Sequence, residues 1–178
     1  SLPTLSRPNS GVLEEETVVG LEDDAITTLE RLTGAQRRLD VVSIVGMAGV
    51  GKTTLAKKLY NDPYVVHHFH IRAWTYVSQV YTKKELLWSI LCSIFHLGDV
   101  HLVEDVYKLA DEDLAETLYR RLKGRKYLIV IDDIWNIDAW NVLKRSFPDD
   151  CNGSRIMLTS RLTDVALHAK PDSVPHSV

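Results

Sequence analysis

Hydrophobic residues along the chain occur at two alternating spacings, one typical of buried strands and the other of helices. Two continuous apolar runs, residues 41–45 and 127–131, predict strands buried in the sheet. Residues 71–77 are rich in Ile, Trp, Tyr and Val and predict another strand, and residues 154–159 predict a fourth. We expect residues 175–178 to open a fifth strand that the chain does not finish.

Between these strands, apolar residues recur at helical spacing. In residues 113–123 leucines recur at every fourth position, Asp113 and Glu116 are placed to form a capping box, and Gly124 ends the helix. Pro63 is expected to stop an earlier helix. Because strands and helices alternate, the pattern predicts a parallel sheet with helices on both faces. The predicted helices cover residues 24–33, 52–60, 83–95, 113–123, 138–146 and 163–169.

The first 17 residues differ in character from the rest of the chain. Pro3, Pro8 and Gly11 interrupt any regular pattern, and Glu14 to Glu16 form a charge run. We therefore interpret residues 1–17 as a solvated linker. The folded domain is predicted to cover residues 18–178.

Composition is typical of a soluble globular domain. The chain has 178 residues, of which 45% are hydrophobic and 25% charged, enough for one core without disulfides. The formal net charge of −3 argues against a dedicated nucleic-acid-binding domain. No apolar run approaches the roughly 18 residues of a membrane span, and no signal peptide is visible. The two cysteines, Cys92 and Cys151, are interpreted as reduced thiols of a cytoplasmic protein.

The segment between the first predicted strand and the next helix matches the P-loop pattern G-x-x-x-x-G-K-[ST]. Gly46, Gly49 and Gly51 lack a Cβ atom, so the backbone can curl and bring its N–H groups close to phosphate oxygens. Lys52 supplies charge to the β- and γ-phosphates at a helix N-terminus, and Thr53 offers a hydroxyl to Mg²⁺. The predicted nucleotide-binding residues of this loop are Gly46, Met47, Gly49, Val50, Gly51, Lys52, Thr53 and Thr54.

Three charged residues come directly after predicted strands. Asp132 and Asp133 follow the most apolar strand and lie at the edge where open α/β sheets bind ligands. We assign Asp132 to Mg²⁺. Asp133 either orients or deprotonates the attacking water, or is a turn residue. Arg161 follows the fourth strand and either senses the γ-phosphate or is a surface arginine.

Three histidines lie close together in the sequence, His67, His68 and His70. A metal site is disfavoured, because adjacent histidines point in different directions and no cysteine lies near them in the sequence. We interpret them as solvated loop residues. Trp74 and Trp88 fall in apolar patterns and are predicted to be core residues.

Five segments, in one order along the chain, together carry a family resemblance. They are residues 18–22 (VVGLE), 46–54 (GMAGVGKTT), 69–79 (FHIRAWTYVSQ), 126–135 (KYLIVIDDIW) and 153–161 (GSRIMLTSR). They resemble the NB-ARC domain of plant intracellular immune receptors, specifically the coiled-coil class of nucleotide-binding leucine-rich-repeat proteins. The resemblance implies the three-layer α/β fold of P-loop NTPases, with helices on both faces of a parallel β-sheet.

The resemblance also implies a molecular switch. ADP marks the resting receptor, and exchange for ATP with Mg²⁺ licenses oligomerisation and immune signalling. Val18 and Val19 are expected near the adenine ring, and Arg161 matches the family's sensor arginine. Implied partners are the receptor's own coiled-coil, helical and leucine-rich-repeat domains and other receptor protomers, with no nucleic acid and no direct membrane contact. The family's helical subdomains are not found in the sequence, so residues 18–178 are expected to be the nucleotide-binding subdomain alone.

Two other functions fit parts of the sequence. A P-loop phosphotransferase would use the same loop, but it also needs an acceptor site and an arginine-rich lid, and neither is visible. A scaffold that no longer binds nucleotide is disfavoured because Lys52, Thr53 and Asp132 are intact. We expect an ADP/ATP switch with weak ATPase activity at most.

Overall fold

The computed structural model describes residues 10–47, 49, 51–95, 100–170 and 174–178, with the backbone alone for residues 10–21 and 100–103. In these residues a five-stranded sheet has the order β2-β3-β4-β1-β5. All neighbouring strands are parallel, which confirms the predicted fold class. The strands are β1 (Asp40–Val45), β2 (Ile71–Tyr76), β3 (Tyr127–Asp132), β4 (Arg155–Ser160) and β5 (His176–Ser177).

Side chains of the central strands point alternately into two hydrophobic cores. Along β3, Ile129 and Ile131 enter one core, whereas Leu128 and Val130 enter the other. Every residue of β3 is buried, because helices cover both faces of the sheet. The apolar run that predicted this strand therefore reflects a strand with no solvent-facing side.

Eight α-helices of the described residues form the outer layers. One core packs α4 to α8 against the sheet, and the other packs α1, α2 and α3. None of the helices described combines the length and apolar character needed to cross a membrane. The helices are α1 (Ser10–Thr33), α2 (Lys52–Tyr60), α3 (Pro63–His68), α4 (Lys83–Ile94), α5 (Val100–Tyr107), α6 (Asp111–Leu122), α7 (Ile137–Leu143) and α8 (Thr163–Ala169).

Helix α1 begins well before the helix that the sequence predicted. It starts at Ser10, whereas residues 10–17 were interpreted as part of a linker and the helix was expected only from residue 24. The prediction was wrong because glutamate is a good helix former, so the run from Glu14 to Glu16 is compatible with a helix as well as with a solvated coil. The domain boundary at residue 18 stays a prediction.

Two helices, α3 and α5, were not predicted from the sequence. Pro63 does follow the end of α2, but it also occupies the first turn of α3, where its missing N–H has no intrahelical partner to lose. Asp62 caps this helix by accepting a hydrogen bond from the Tyr64 N–H at 2.8 Å. His67 and His68, interpreted as loop residues, therefore lie on a helix.

The capping box predicted for Asp113 and Glu116 is wrong. Helix α6 begins at Asp111, and its N-cap residue, Ala110, has no side chain that can accept a hydrogen bond. The acidic residues of this first turn instead favour the helix through its dipole. A capping box does precede α4, where Thr82 and Glu85 bond reciprocally.

The predicted core tryptophans and the two cysteines are more exposed than typical core residues. Trp74 and Trp88 are partly buried, and each packs against one of the two cores. Cys92 and Cys151 are exposed, and neither forms a disulfide. The fifth strand is confirmed as the short β5, which pairs with β1 through His176 and Ser177.

Candidate functional site

The loop between β1 and α2 has a backbone suited to binding phosphate. Gly49 and Gly51 have φ angles of 81° and 90°, which side chains disfavour. A Cβ at either position would meet nothing within 4 Å, so the backbone conformation, and not lack of space, requires glycine there. Gly51 is the N-cap of α2 and has no side chain that could accept a hydrogen bond from the first turn. The first N–H groups of α2 are therefore available to an anion.

Lys52 holds a positive charge inside this loop. Its ammonium donates hydrogen bonds to the carbonyl oxygens of Gly46 and Met47, both at 2.7 Å. The residue is 7% exposed. Burial lowers the pKa of Lys52 below its ordinary value and the nearby Arg161 lowers it further, while the carboxylates of the site act in the opposite direction.

Asp132 lies at the end of β3 between two threonine hydroxyls. Thr53, on α2, donates to its carboxylate at 3.0 and 3.3 Å. Thr159, on β4, donates to the same carboxylate at 2.5 Å. The structure thus brings together the two residues that the sequence assigned to Mg²⁺, Thr53 and Asp132.

Asp133 adopts a left-handed backbone with φ of 57°, a conformation that aspartate tolerates better than most residues. Its N–H donates to the Thr159 hydroxyl at 2.8 Å. Its carboxylate lies 3.8 Å from the Arg161 guanidinium and accepts a hydrogen bond from the Tyr76 hydroxyl at 3.4 Å. Asp133 is therefore a turn residue and also part of the site, so the two interpretations of its role do not exclude each other.

These residues surround a cavity of about 290 Å³ at the carboxyl edge of the sheet. Gly46 and Met47 belong to the loop but do not line the cavity. Val50 lies outside the described residues, as do the side chains of Val18 and Val19, whose backbone belongs to α1. The lining residues are Gly49, Gly51, Lys52, Thr53, Thr54, Asp133, Thr159 and Arg161.

Sequence reasoning missed two residues of this site, Thr159 and Tyr76. Thr159 lines the cavity and contacts both aspartates, and Tyr76 contacts Asp133 from the end of β2. A signal was present, because both residues lie at the carboxyl end of a predicted strand, where polar side chains of a parallel sheet converge. Their partners could be identified only once the strand order was known.

The oxygen atoms of Thr53 and Asp132 fit a magnesium ion. Mg²⁺ prefers oxygen ligands, and it keeps waters and phosphate oxygens as ligands, so it needs few protein groups. A hydroxyl and a carboxylate 3.0 Å apart supply such a pair. Within the described part of the chain, no group of three or more His, Cys, Asp or Glu residues is arranged to hold a metal ion.

The fold and the site together define a P-loop NTPase domain, with the phosphate-binding loop after β1 and an acidic pair after β3. The chain belongs to the NB-ARC family, whose domain model matches residues 22–178. Disease resistance protein RPP13 of Arabidopsis thaliana is 47% identical over 154 residues, 86% of this chain and 18% of that protein. Putative late blight resistance protein homolog R1B-14 of Solanum demissum is 44% identical over 160 residues, 90% of this chain. The chain spans only 12% of the latter relative.

Solved structures of more distant proteins share the fold. The Aeropyrum pernix ORC2 protein, determined as ADPNP-ADP complexes, superposes with a TM-score of 0.56 at 17% identity. That match covers 90% of this chain and 46% of the other. Drosophila ORC bound to DNA also gives a TM-score of 0.56, at 9% identity, covering 99% of this chain and 51% of the other. At these identities the similarity shows the fold alone.

Proposed function

We propose that the chain is the nucleotide-binding subdomain of a plant disease resistance receptor of the coiled-coil class. In this proposal it switches between an ADP-bound resting state and an ATP-bound signalling state. The observation that carries the proposal is that Lys52, Thr53, Asp133 and Arg161 line one cavity. Asp132 joins them through its hydrogen bond with Thr53. Membership in the NB-ARC family supports it.

Phosphate binding is assigned to the loop and the first turn of α2. Lys52 would exchange its two carbonyl acceptors for oxygens of the β- and γ-phosphates. This exchange is favourable because hydrogen bonds to a charged acceptor are stronger than those to a neutral one. Val50 belongs to the same cradle, and Val18 and Val19 are proposed to pack beside the adenine ring.

Mg²⁺ is assigned to Thr53 and Asp132. A bound ion would neutralise part of the phosphate charge. Thr159 holds the Asp132 carboxylate from the other side through its 2.5 Å hydrogen bond. This bond orients the carboxylate toward α2, where Thr53 lies.

Arg161 is proposed to distinguish ATP from ADP. Its side chain is 57% exposed and lies 3.8 Å from Asp133. An ion pair of this exposure contributes roughly 0–1 kcal/mol, so a γ-phosphate can draw the guanidinium away from Asp133 at little cost. Asp133, once released, would orient the attacking water.

The rest of the receptor is proposed to supply the partners. The two plant relatives are named as resistance proteins, and the chain covers 18% and 12% of their lengths. We infer that coiled-coil, helical and leucine-rich-repeat domains flank it in a cytoplasmic receptor, and that other protomers assemble with it in the ATP state. We expect neither nucleic acid nor a membrane to contact this domain directly.

Calorimetric titration with ADP and with ATP–Mg²⁺ tests the proposed site. Lys52→Ala is expected to abolish binding with a nearly unchanged thermal unfolding midpoint, because the bonds of its ammonium to described residues go to carbonyls of its own loop. Lys57→Ala, an exposed lysine on the same helix, is the matched control and should bind as the wild type does. Wild-type affinity in Lys52→Ala would show that the site is wrongly assigned.

A further inference from the structure

A second cavity, which we call the basic cavity, lies at the opposite end of the sheet from the P-loop. It has a volume of about 330 Å³ and is formed by the amino end of β2, the last turns of α4 and α6, and the turn before β3. Four arginines line it, together with a histidine and a phenylalanine, and no described acidic residue does. These residues are Arg72, Arg120, Arg121, Arg125, His70 and Phe95.

This concentration of positive charge is not expected from composition, because the chain has more acidic than basic residues, 24 against 21. Contacts within the protein account for some of these arginines but not for all of them. Arg72 donates to the Tyr60 carbonyl and lies over the Tyr60 ring at 4.3 Å. Arg121 lies over the Phe95 ring at 5.0 Å. Arg125 has no side-chain partner within the described ranges.

Among the described residues, the negative groups near the basic cavity are too few to neutralise the four arginines. Glu116 pairs with Arg120 at 2.7 Å, but both side chains are exposed. The carboxyl ends of α4 and α6 each contribute about half a negative charge through the helix dipole. Roughly two positive charges therefore remain without a counter-charge from the described part of the chain.

We propose that the basic cavity binds a small phosphorylated molecule that carries at least two negative charges. The planar guanidinium of arginine binds phosphate oxygens through two parallel hydrogen bonds, and several arginines together favour a ligand with more than one negative charge over an apolar one. The volume falls at the lower end of the range of about 300–1,000 Å³ typical of small-molecule sites. Phe95 and the neighbouring Ile94 offer apolar surface to the organic part of the ligand.

The position of the cavity gives such a ligand a structural effect. It would connect α4 and α6 to β2, the edge strand whose other end carries Tyr76 beside Asp133. The basic cavity is nevertheless separate from the nucleotide site, and none of its lining residues lines the cavity of the P-loop. Ligand binding at the basic cavity can therefore be tested separately from nucleotide binding at the P-loop.

Titration with sodium tripolyphosphate tests the proposal, with Lys52→Ala as the parent to remove binding at the P-loop. The parent is expected to bind one tripolyphosphate, and adding Arg121→Gln and Arg125→Gln should weaken binding by about tenfold or more, through the loss of charge-assisted contacts. Lys57→Gln with Lys58→Gln, in the same parent, removes two charges from α2 and should leave the affinity unchanged. An equal loss in both double variants, or in neither, would overturn the proposal.

Two further measurements test whether the loss of binding comes from misfolding and whether the cavity prefers another class of ligand. Arg125→Gln alone is not expected to alter the thermal unfolding midpoint, because Arg125 has no partner in the described residues, yet it should already weaken tripolyphosphate binding. Hexaglutamate is the comparison ligand and should bind more weakly than tripolyphosphate. Tighter binding of hexaglutamate at the cavity would refute a phosphate site and indicate an acidic peptide.

Discussion

Thr159 connects the two aspartates of the site through a single hydroxyl. It donates to the Asp132 carboxylate at 2.5 Å and accepts from the Asp133 N–H at 2.8 Å. The residue is 1% exposed, so water cannot readily replace either bond. One side chain on β4 therefore fixes the position of the carboxylate assigned to Mg²⁺ and also stabilises the left-handed turn at Asp133.

Thr159→Val, which keeps the shape and removes the hydroxyl, is expected to lower the free energy of unfolding by about 1–3 kcal/mol, because the buried Asp132 carboxylate and the partly buried Asp133 N–H each lose a partner. It should also weaken binding of ATP–Mg²⁺. Urea unfolding and calorimetric titration measure the two effects. Thr159→Ser retains the hydroxyl and should keep most of both properties, and a Val variant equal to the wild type in both would show that Thr159 only fills space.

At the scale of elements, Arg155 anchors the end of α1 to the sheet. It lies at the start of β4, is fully buried, and burial lowers the pKa of its guanidinium, an effect that Asp40 partly offsets. The guanidinium donates to five carbonyl oxygens, four around the end of α1 and the following turn and one of the preceding residue on its own strand segment, Ser154. They belong to Arg31, Gly34, Gln36, Arg38 and Ser154.

Arg155→Met is expected to lower the free energy of unfolding by about 1.5–3 kcal/mol, the typical loss when hydrogen bonds from a charged donor are removed. The amides of residues 31–38 should exchange hydrogen faster, because the end of α1 loses its anchor. Urea unfolding and hydrogen-exchange mass spectrometry measure these effects. The control is Arg37→Met, which alters an exposed arginine of the same turn, and equal exchange in the two variants would contradict the anchoring role.

The metal assignment makes a prediction for the whole nucleotide-binding unit. Chelation of Mg²⁺ is expected to weaken ATP binding by about tenfold or more and ADP binding by less, since the ion would neutralise more phosphate charge on ATP than on ADP. Titrations with and without a chelator measure the difference. Thr53→Val with Mg²⁺ present should reproduce the effect of chelation, whereas Thr53→Ser should not. If ATP affinity is the same with and without the chelator, Thr53 and Asp132 do not hold the ion.

Slow turnover follows from the openness of the site. Arg161 is 57% exposed and Met47, in the adjoining loop, is 79% exposed, so this chain would exclude water poorly from bound phosphates. We expect ATP hydrolysis far below the roughly 1–100 s⁻¹ of kinases, and loss of the residual activity in Asp133→Asn. A phosphate-release assay measures both, with Asp164→Asn on the exposed start of α8 as the control. Turnover at kinase rates would favour a phosphotransferase instead.

Local patterns in the sequence predicted all five strands and six of the eight helices that the structure describes. These patterns arise because a strand buried on both faces is continuously apolar and an amphipathic helix repeats every three to four residues. The sequence pattern does not predict helix α3, because proline both stops one helix and suits the first turn of the next. Helix α1 was predicted too short because a glutamate run suits both coil and helix.

The sequence by itself determined the phosphate-binding loop, because all of its functional groups lie within one short stretch of the chain and act through the backbone of that stretch. Only the tertiary structure decided how Thr53, Asp132 and Thr159 meet, since β4 lies between β1 and β3 in the sheet. The basic cavity likewise joins residues 70–72, 93–95 and 120–125. Contacts of this kind depend on strand order and register, and the periodicity within a single segment carries no information about either.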